Sequence, residues 1–265
     1  MSKYLQIIRI TFQEYFEYRL NFVMWRFRNL ISFLTLIIFW LAIYGEKDKI
    51  LDYQRSQLLT YVIGVAFLRG IVLASRSVDL AGQIRSGELT KLLLQPLKIF
   101  NFWFIRDLTD KALNIFFATI EIIIVSKIVN FSLVLPKNST DFVIFVVLVI
   151  LSTLLYFYLS FFISVLAFWT EDVWATRWLL GIVLLELFAG AYFPIDILPS
   201  WLVRIIYWTP FPYLVFFPLK IWLGQASINM SIKIILISFC WLIFFFVLAS
   251  VLWKKGVKNY GAFGG

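Results

Sequence analysis

Residues 141–169 read DFVIFVVLVILSTLLYFYLSFFISVLAFW, and after Asp141 this stretch contains no charged residue, no glycine and no proline. A helix that crosses a bilayer needs about 20 consecutive, predominantly apolar residues, so this stretch is long enough to span one. The rest of the chain has the same character, since 62% of its 265 residues are hydrophobic, only 15% are charged and the mean hydropathy is +0.90. Soluble domains have roughly half apolar and a quarter charged residues. The sequence therefore predicts an integral membrane protein.

Five further apolar stretches accompany this one, and we predict an all-α, polytopic membrane protein with a single domain over residues 1–265. The six predicted spans are residues 29–45, 57–75, 111–133, 141–169, 174–193 and 232–253. With the N-terminus inside, sixteen of the 24 Lys and Arg residues fall in inner segments and eight in outer ones, as the positive-inside rule requires. Both termini are therefore expected on the cytoplasmic side of the cytoplasmic membrane. The first span is expected to direct insertion, because residues 1–28 do not have the pattern of a cleavable signal peptide.

Two segments have helical or apolar character without spanning. Residues 3–27 carry apolar side chains at helical spacing with charged residues on the other faces, which favours an amphipathic helix in the inner interface over a partly ordered tail. Residues 194–224 contain five prolines, which exclude one straight helix, yet they are too apolar for a free loop. We predict broken re-entrant helices in the outer leaflet between spans five and six. An outer gate is expected there, formed by Pro194, Pro199, Trp201, Pro210 and Pro212.

The composition excludes several kinds of chemistry. The chain has no histidine and one cysteine, Cys240, so His-based catalysis, His-ligated zinc and an intrachain disulfide are excluded. Gly82 and Gly87 have the spacing of a phosphate-binding loop, but Glu88 stands where such a loop needs a lysine. No catalytic residue, metal site or nucleic-acid interface is predicted, and the net charge of +9 is attributed to membrane topology and anionic lipid.

Carboxylates inside the predicted spans are the main candidates for function. Glu186 has apolar neighbours on both sides in the fifth span, and Glu121 lies in the third. Each could belong to a cation or proton site, to a polar lining of a substrate path, or to a structural ion pair. As a structural pair, Glu186 would meet a basic group on a neighbouring helix, and Glu121 would meet Lys127.

Two motifs together resemble a known family. The inner segment IRSGELTKLLLQPL (84–97) and the outer segment FPIDILPSWLVRIIYWTPFPYLVFFPLKIWLG (193–224) are similar to elements of permease subunits of type-2 ATP-binding-cassette (ABC) exporters. Both occur in the order and position that those permeases show. The closest likeness is to the branch whose subunits have nearly the length of this chain and are often encoded as unequal pairs.

The resemblance implies a role for several residues. The segment between spans two and three would form a coupling helix on a separate cytoplasmic ATPase, with contact residues Asp79, Gln83, Arg85, Gly87, Glu88 and Lys91. Its apolar residues would pack on the membrane-facing side: Leu80, Ile84, Leu89, Leu92 and Leu93. Spans two and five would line the translocation path at a dimer interface, through Gly64, Phe67, Leu185, Glu186 and Phe188.

The resulting expectation is a permease subunit that exports a hydrophobic or amphipathic molecule, with an apolar or cationic one favoured by the aromatic content and Glu186. Its partners would be ABC ATPase subunits, a second permease, identical or not, and membrane lipid. The chain itself would hold no cofactor, because ATP and Mg²⁺ would bind to the ATPase. Two alternatives are an ion-coupled secondary transporter that uses Glu186 and Glu121, and a polytopic lipid-processing enzyme.

Overall fold

The computed structural model describes residues 3–45, 49–50, 52–129, 133–170 and 185–260, and most of them are helical. The α-helices are α1 (Lys3–Glu17), α2 (Arg19–Tyr44), α3 (Arg55–Ile71), α4 (Leu80–Arg85), α5 (Leu89–Leu93), α6 (Ile99–Val129), α7 (Ser139–Val165), α8 (Leu185–Phe188), α9 (Ser200–Tyr207), α10 (Phe216–Trp222) and α11 (Ile228–Asn259). Short 3-10 turns cover Arg76–Asp79, Leu166–Phe168, Ile195–Ile197 and Phe211–Tyr213. Between α2 and α3, β1 (Lys49–Ile50) and β2 (Tyr53–Gln54) form a two-residue antiparallel ladder that the sequence did not predict.

The predicted fold class, an all-α polytopic membrane protein, is confirmed. Within the described ranges, three helices are long and apolar enough to cross a membrane, namely α2, Ser139–Phe168 and α11. The α3 helix and the helical residues Arg76–Arg85, bent by 47° to each other, would together form a fourth. Most of the predicted fifth span, residues 174–184, lies outside the described residues, so the count of six spans stays a prediction.

The N-terminal region differs from the single helix predicted over residues 3–27. The first helix ends at Glu17, and Tyr18 departs from helical geometry with φ −99° and ψ 37° before α2 begins at Arg19. The α2 helix therefore begins ten residues before the predicted first span, which starts at residue 29. Arg26 lies within this helix and is buried against Glu121, so its charge does not end the helix. The α6 helix likewise begins at Ile99, well before the predicted start of span three at residue 111.

Close helix packing builds two apolar cores. The larger core surrounds α3, which contacts both α2 and α6. The smaller core lies beneath α4 and α5 and is centred on the fully buried Trp103 and Phe161. The α7 and α11 helices pack along each other, and a Cβ at Gly256 would lie 2.1 Å from the ring of Phe168. The buried apolar residues of the predicted coupling segment 79–97 therefore belong to the smaller core and not to the larger core around α3.

Candidate functional site

The coupling segment, residues 79–97, has one apolar face and one polar face. It contains two short helices, α4 and α5, and not the single coupling helix that was predicted. The chain turns between them at Gly87, which has φ +76°, a left-handed conformation that glycine adopts without strain. The apolar face is buried in the smaller core through Leu80, Ile84, Leu89 and Leu92.

Most of the predicted contact residues lie on the opposite, exposed face of this segment. Those exposed there are Asp79, Arg85, Glu88 and Lys91. Gln83 is half-buried, and its Oε1 has no hydrogen-bond partner within the described part of the chain. Leu93, which was expected to pack inward, is 38% exposed. It lies one residue beyond the last buried leucine, so the turn at the end of α5 carries it to the surface.

A continuous series of polar contacts connects the start of the coupling segment with the interior of the bundle. Arg76 Nε donates to Asp110 Oδ1 at 3.1 Å, and Asn114 Nδ2 donates to the other oxygen of the same carboxylate at 3.1 Å. Arg26 Nη1 then donates to Asn114 Oδ1 at 3.4 Å, while its Nη2 lies 2.6 Å from Glu121 Oε1. The series therefore joins the turn before α4 to α6 and α2.

Beside this series lies a cavity of about 660 Å³ between α2, α3, α6, α7 and α8. Two of the five predicted path residues line it, Leu185 and Glu186. The other three do not: Phe67 and Phe188 pack against the larger core, and Gly64 faces α10. A Cβ on Gly64 would lie 2.3 Å from Leu219 Cδ2, so glycine there permits close helix packing.

Both carboxylates singled out in the sequence form ion pairs. Glu186 Oε2 lies 3.0 Å from Arg69 Nη2, and the Arg69 guanidinium also lies 5.3 Å from the centroid of the Tyr192 ring. The expectation of a basic partner from a neighbouring helix is thus confirmed for Glu186. For Glu121 the expected partner was wrong: it pairs with Arg26 of α2, whereas Lys127 is exposed. The side chains of residues 121 and 127 are six positions apart, which does not bring them to the same face of a helix.

On the outer element, Asp196 connects three separate segments. The Tyr53 hydroxyl donates to both Asp196 carboxylate oxygens, at 2.9 and 3.0 Å, and Lys220 Nζ lies 2.6 Å from Oδ2. Burial and then the neighbouring Asp196 charge raise the pKa of the Tyr53 phenol well above its ordinary value, so the hydroxyl keeps its proton and remains a donor. Asp196 thus joins the β-ladder to α10 across the proline-rich segment.

The predicted outer-gate residues fall into two groups. Pro194, Pro210 and Pro212 are buried, whereas Pro199 and Trp201 are exposed. Pro199 directly precedes α9, where a missing backbone N–H costs nothing. On α9 Trp201 and Ile205 are 63% and 56% exposed, and Trp208, which directly follows the helix, is 85% exposed. This apolar stripe suits the membrane–water interface, where Trp is enriched.

Sequence reasoning missed Arg26 and Asp196 as organising residues. Arg26 was counted only as an inner positive charge, although it is 9% exposed and holds two α6 side chains. Asp196 is the only acidic residue in the segment 194–224, and that isolation was a usable signal. No group of three or more Asp, Glu, Cys or His residues suited to a metal ion occurs in the described ranges.

The comparisons with known proteins agree with this architecture. The family described as ABC-2 family transporter protein matches the chain over residues 30–264. This range runs from within α2 through the C-terminal helix and includes both motifs that carried the resemblance. No curated protein matches the chain. Because the family match extends over most of the sequence, the chain belongs to the ABC-2 family of transporter proteins.

Proposed function

We propose that this multi-pass membrane protein is the permease subunit of an ATP-driven exporter and that its coupling segment docks on a separate ABC ATPase. The observation that carries the proposal is the division of this segment into a buried leucine face and an exposed face with charges of both signs. A segment anchored on one side and polar on the other is suited to receive a soluble partner without losing its own position.

Contacts from the N-terminal helix support a role for α1 in the same movement. Glu14 forms an ion pair with Arg106 of α6, and the Arg76 guanidinium lies 5.0 Å from the centroid of the Tyr15 ring. At the other end of the coupling segment, Lys3 Nζ donates to the Pro96 carbonyl at 3.3 Å. An ATPase that displaced the coupling segment would therefore also move α1 and the start of α6.

The cargo of the proposed exporter is a hydrophobic or amphipathic molecule, and two permeases, identical or different, assemble with two ATPases. ATP and Mg²⁺ bind to the ATPase subunits, so the chain contributes movement and a path but no bond-making chemistry. The two ion pairs speak against a secondary transporter that uses Glu186 and Glu121, because each carboxylate already has an arginine as its counterion.

Co-purification tests this proposal. The chain is expressed together with candidate ABC ATPases from the same genome, and the ATPase retained on the solubilised permease is measured. ATP-dependent transport in proteoliposomes is measured in parallel. The variant carries R85S, E88S and K91S together, which removes three exposed charges and leaves the buried leucines unchanged. We expect the amount of bound ATPase to fall about tenfold or more, because several clustered contacts are removed.

The matched control is K254S/K255S, which removes two exposed charges at the C-terminal end of α11. This variant is expected to bind the ATPase as the wild type does. If the triple variant also retained the ATPase in wild-type amounts, residues 79–97 would not be the docking site and the proposal would fail.

A further inference from the structure

Apolar side chains line the cavity together with charged ones. The Arg76–Asp110 contact and the close approach of Gly70 to the Asn114 side chain, with a Gly70 Cβ at 3.5 Å, fix the antiparallel register of α3 and α6. In that register Val62 of α3 lies level with Ile122 of α6, some two helical turns, or about 12 Å, deeper than Gly70. Both of these apolar residues line the cavity.

The α2 helix adds both polar and apolar residues to this lining. It is joined to α3 by the short β-ladder and therefore runs antiparallel to it. Its cavity-lining residues include the polar Arg28 and Asn29 and the apolar Phe33 and Leu36. The cavity thus offers charged groups and apolar walls to the same ligand, a lining that suits an amphiphile.

The charges in the wall leave one cation without a counterion. Three acidic residues line the cavity, and each has its own arginine: Arg26–Glu121, Arg69–Glu186 and Arg76–Asp110. The fourth lining arginine, Arg28, is exposed and has no ion pair or hydrogen bond within the described chain. The paired walls are therefore neutral, and Arg28 gives this space a net positive charge.

The hydrogen-bonding groups show the same imbalance. Among the described cavity-lining residues, the buried side-chain atoms without a hydrogen-bond partner belong to guanidinium groups, and they include Arg26 Nε and Arg69 Nε. The Arg26 side chain is held among the rings of Trp25 and Phe117, so it is fixed in place with a donor unused. A buried donor without an acceptor is costly, and an acceptor-rich anion is the ligand that removes this cost.

We propose that this cavity binds an acidic amphiphile, with a phosphate, sulfate or carboxylate head near Arg28 and an apolar chain between Leu36, Val62 and Ile122. This inference rests on the proposed function, for which it names the class of cargo. It replaces the cationic molecule expected from the sequence, because the Arg69 guanidinium already neutralises Glu186. The cavity volume of about 660 Å³ lies within the range of about 300–1,000 Å³ that small-molecule sites occupy.

Direct binding to the chain alone, without ATPase or ATP, tests the inference. The purified full chain is placed in phosphatidylcholine nanodiscs, and equilibrium binding of octyl phosphate, octyltrimethylammonium and inorganic phosphate is measured with labelled probes. We expect saturable binding of octyl phosphate and much weaker binding of the other two. The R28Q variant should raise the Kd for octyl phosphate about tenfold or more, because a charge-assisted contact is lost, and R28K should restore most of it.

The matched control is R19Q, which removes another exposed arginine from α2 that does not line the cavity. It should leave the Kd within about twofold, since surface charges act weakly at a distance in salt. Equal effects of R28Q and R19Q would show that octyl phosphate only partitions to a basic membrane surface. If inorganic phosphate bound as tightly as octyl phosphate, the site would not recognise the apolar chain. If octyltrimethylammonium bound as tightly, the site would not recognise the acidic head group. Any of these three results overturns the inference.

The two proposals fail separately. Arg28 is not part of the coupling segment, residues 79–97. The R28Q variant should therefore still co-purify with the ATPase. If the ATPase does not bind the wild-type chain while octyl phosphate does, the proposed exporter is wrong and the ligand class stands.

Discussion

Removing the carboxylate of Glu121 tests whether the Arg26–Glu121 pair organises the inner half of the bundle. Arg26 Nη2 and Glu121 Oε1 are 2.6 Å apart, and the two side chains are only 10% and 23% exposed. The substitution Glu121→Gln keeps the size of the side chain and removes its charge. It leaves a buried guanidinium without a counterion next to Trp25 and Phe117.

The magnitude follows from burial. Breaking a buried ion pair by removing one partner costs about 3–5 kcal/mol. Glu121 is about a quarter exposed, and Arg26 keeps its contact with Asn114, so water and the amide offset part of this cost. We therefore expect a loss of about 2–3 kcal/mol in the free energy of unfolding. Replacing both partners, as in R26M/E121L, should return stability to within about 1 kcal/mol of the wild type, because no buried charge is left alone.

The assay is unfolding of the purified chain in mixed micelles of rising dodecyl sulfate content, followed by circular dichroism. Two control variants accompany E121Q, and each also removes a charge while nearly keeping the size of the side chain. E17Q removes an exposed carboxylate from α1, and K127Q removes the partner that sequence alone suggested; both should stay within about 0.5 kcal/mol of the wild type. If E121Q proved as stable as E17Q, or K127Q as unstable as E121Q, the assignment of Arg26 as the partner would be refuted.

Three further predictions concern the outer element and use the same unfolding assay. Asp196→Asn should cost about 1–3 kcal/mol, because the charged contact with Lys220 and the strong acceptor for Tyr53 are lost together; an unchanged stability would contradict the connecting role of Asp196. Gly190→Ala should cost about 1–2 kcal/mol, because Gly190 has φ +80° and a Cβ there would lie 2.6 Å from the Tyr61 hydroxyl. The control is Gly82→Ala, where a Cβ would have no neighbouring atom within 4 Å, so this variant should be neutral or stabilising. Because folding raises the pKa of Tyr53, the folded state keeps a proton that the unfolded chain releases above about pH 10, so stability should fall as the pH rises past that value, and Tyr53→Phe should make this fall shallower.

The class of protein and the two-faced coupling segment could be predicted because they depend on composition and short-range spacing. An apolar run of sufficient length indicates a span whatever the rest of the chain does. Within the coupling segment, the buried residues Leu80, Ile84, Leu89 and Leu92 alternate with exposed charges in a way that already separates two faces. The turn at Gly87 uses a left-handed backbone that glycine adopts without strain.

The ion-pair partners could not be predicted in the same way. In α2 and α6 almost every face is apolar, so periodicity does not fix the rotation of one helix against another. The partners Arg26 and Glu121 are far apart in sequence, and their contact depends on that rotation and on the sliding register of the two helices. Lys127 was chosen because it is near Glu121 in sequence, although six residues place the two side chains on different faces. The early start of α2 was missed because charged residues interrupt the apolar run before residue 29 without ending the helix.

The three ion pairs that line the cavity differ in how easily they can part. The Arg26–Glu121 and Arg76–Asp110 pairs each have a side chain that is only about a tenth exposed, at 10% and 11% respectively. In the Arg69–Glu186 pair the two side chains are 28% and 26% exposed, so water replaces the lost contact at lower cost. Arg69 lies near the end of α3 and Glu186 lies on α8, and both residues line the cavity. If α3 and α8 separate during transport, this pair is the one whose opening requires least free energy, and an acidic head group would then be a competing counterion for Arg69. Glu186 thus acts within this fold through its pairing with an arginine, and its position in an apolar stretch does not by itself make it a cation site.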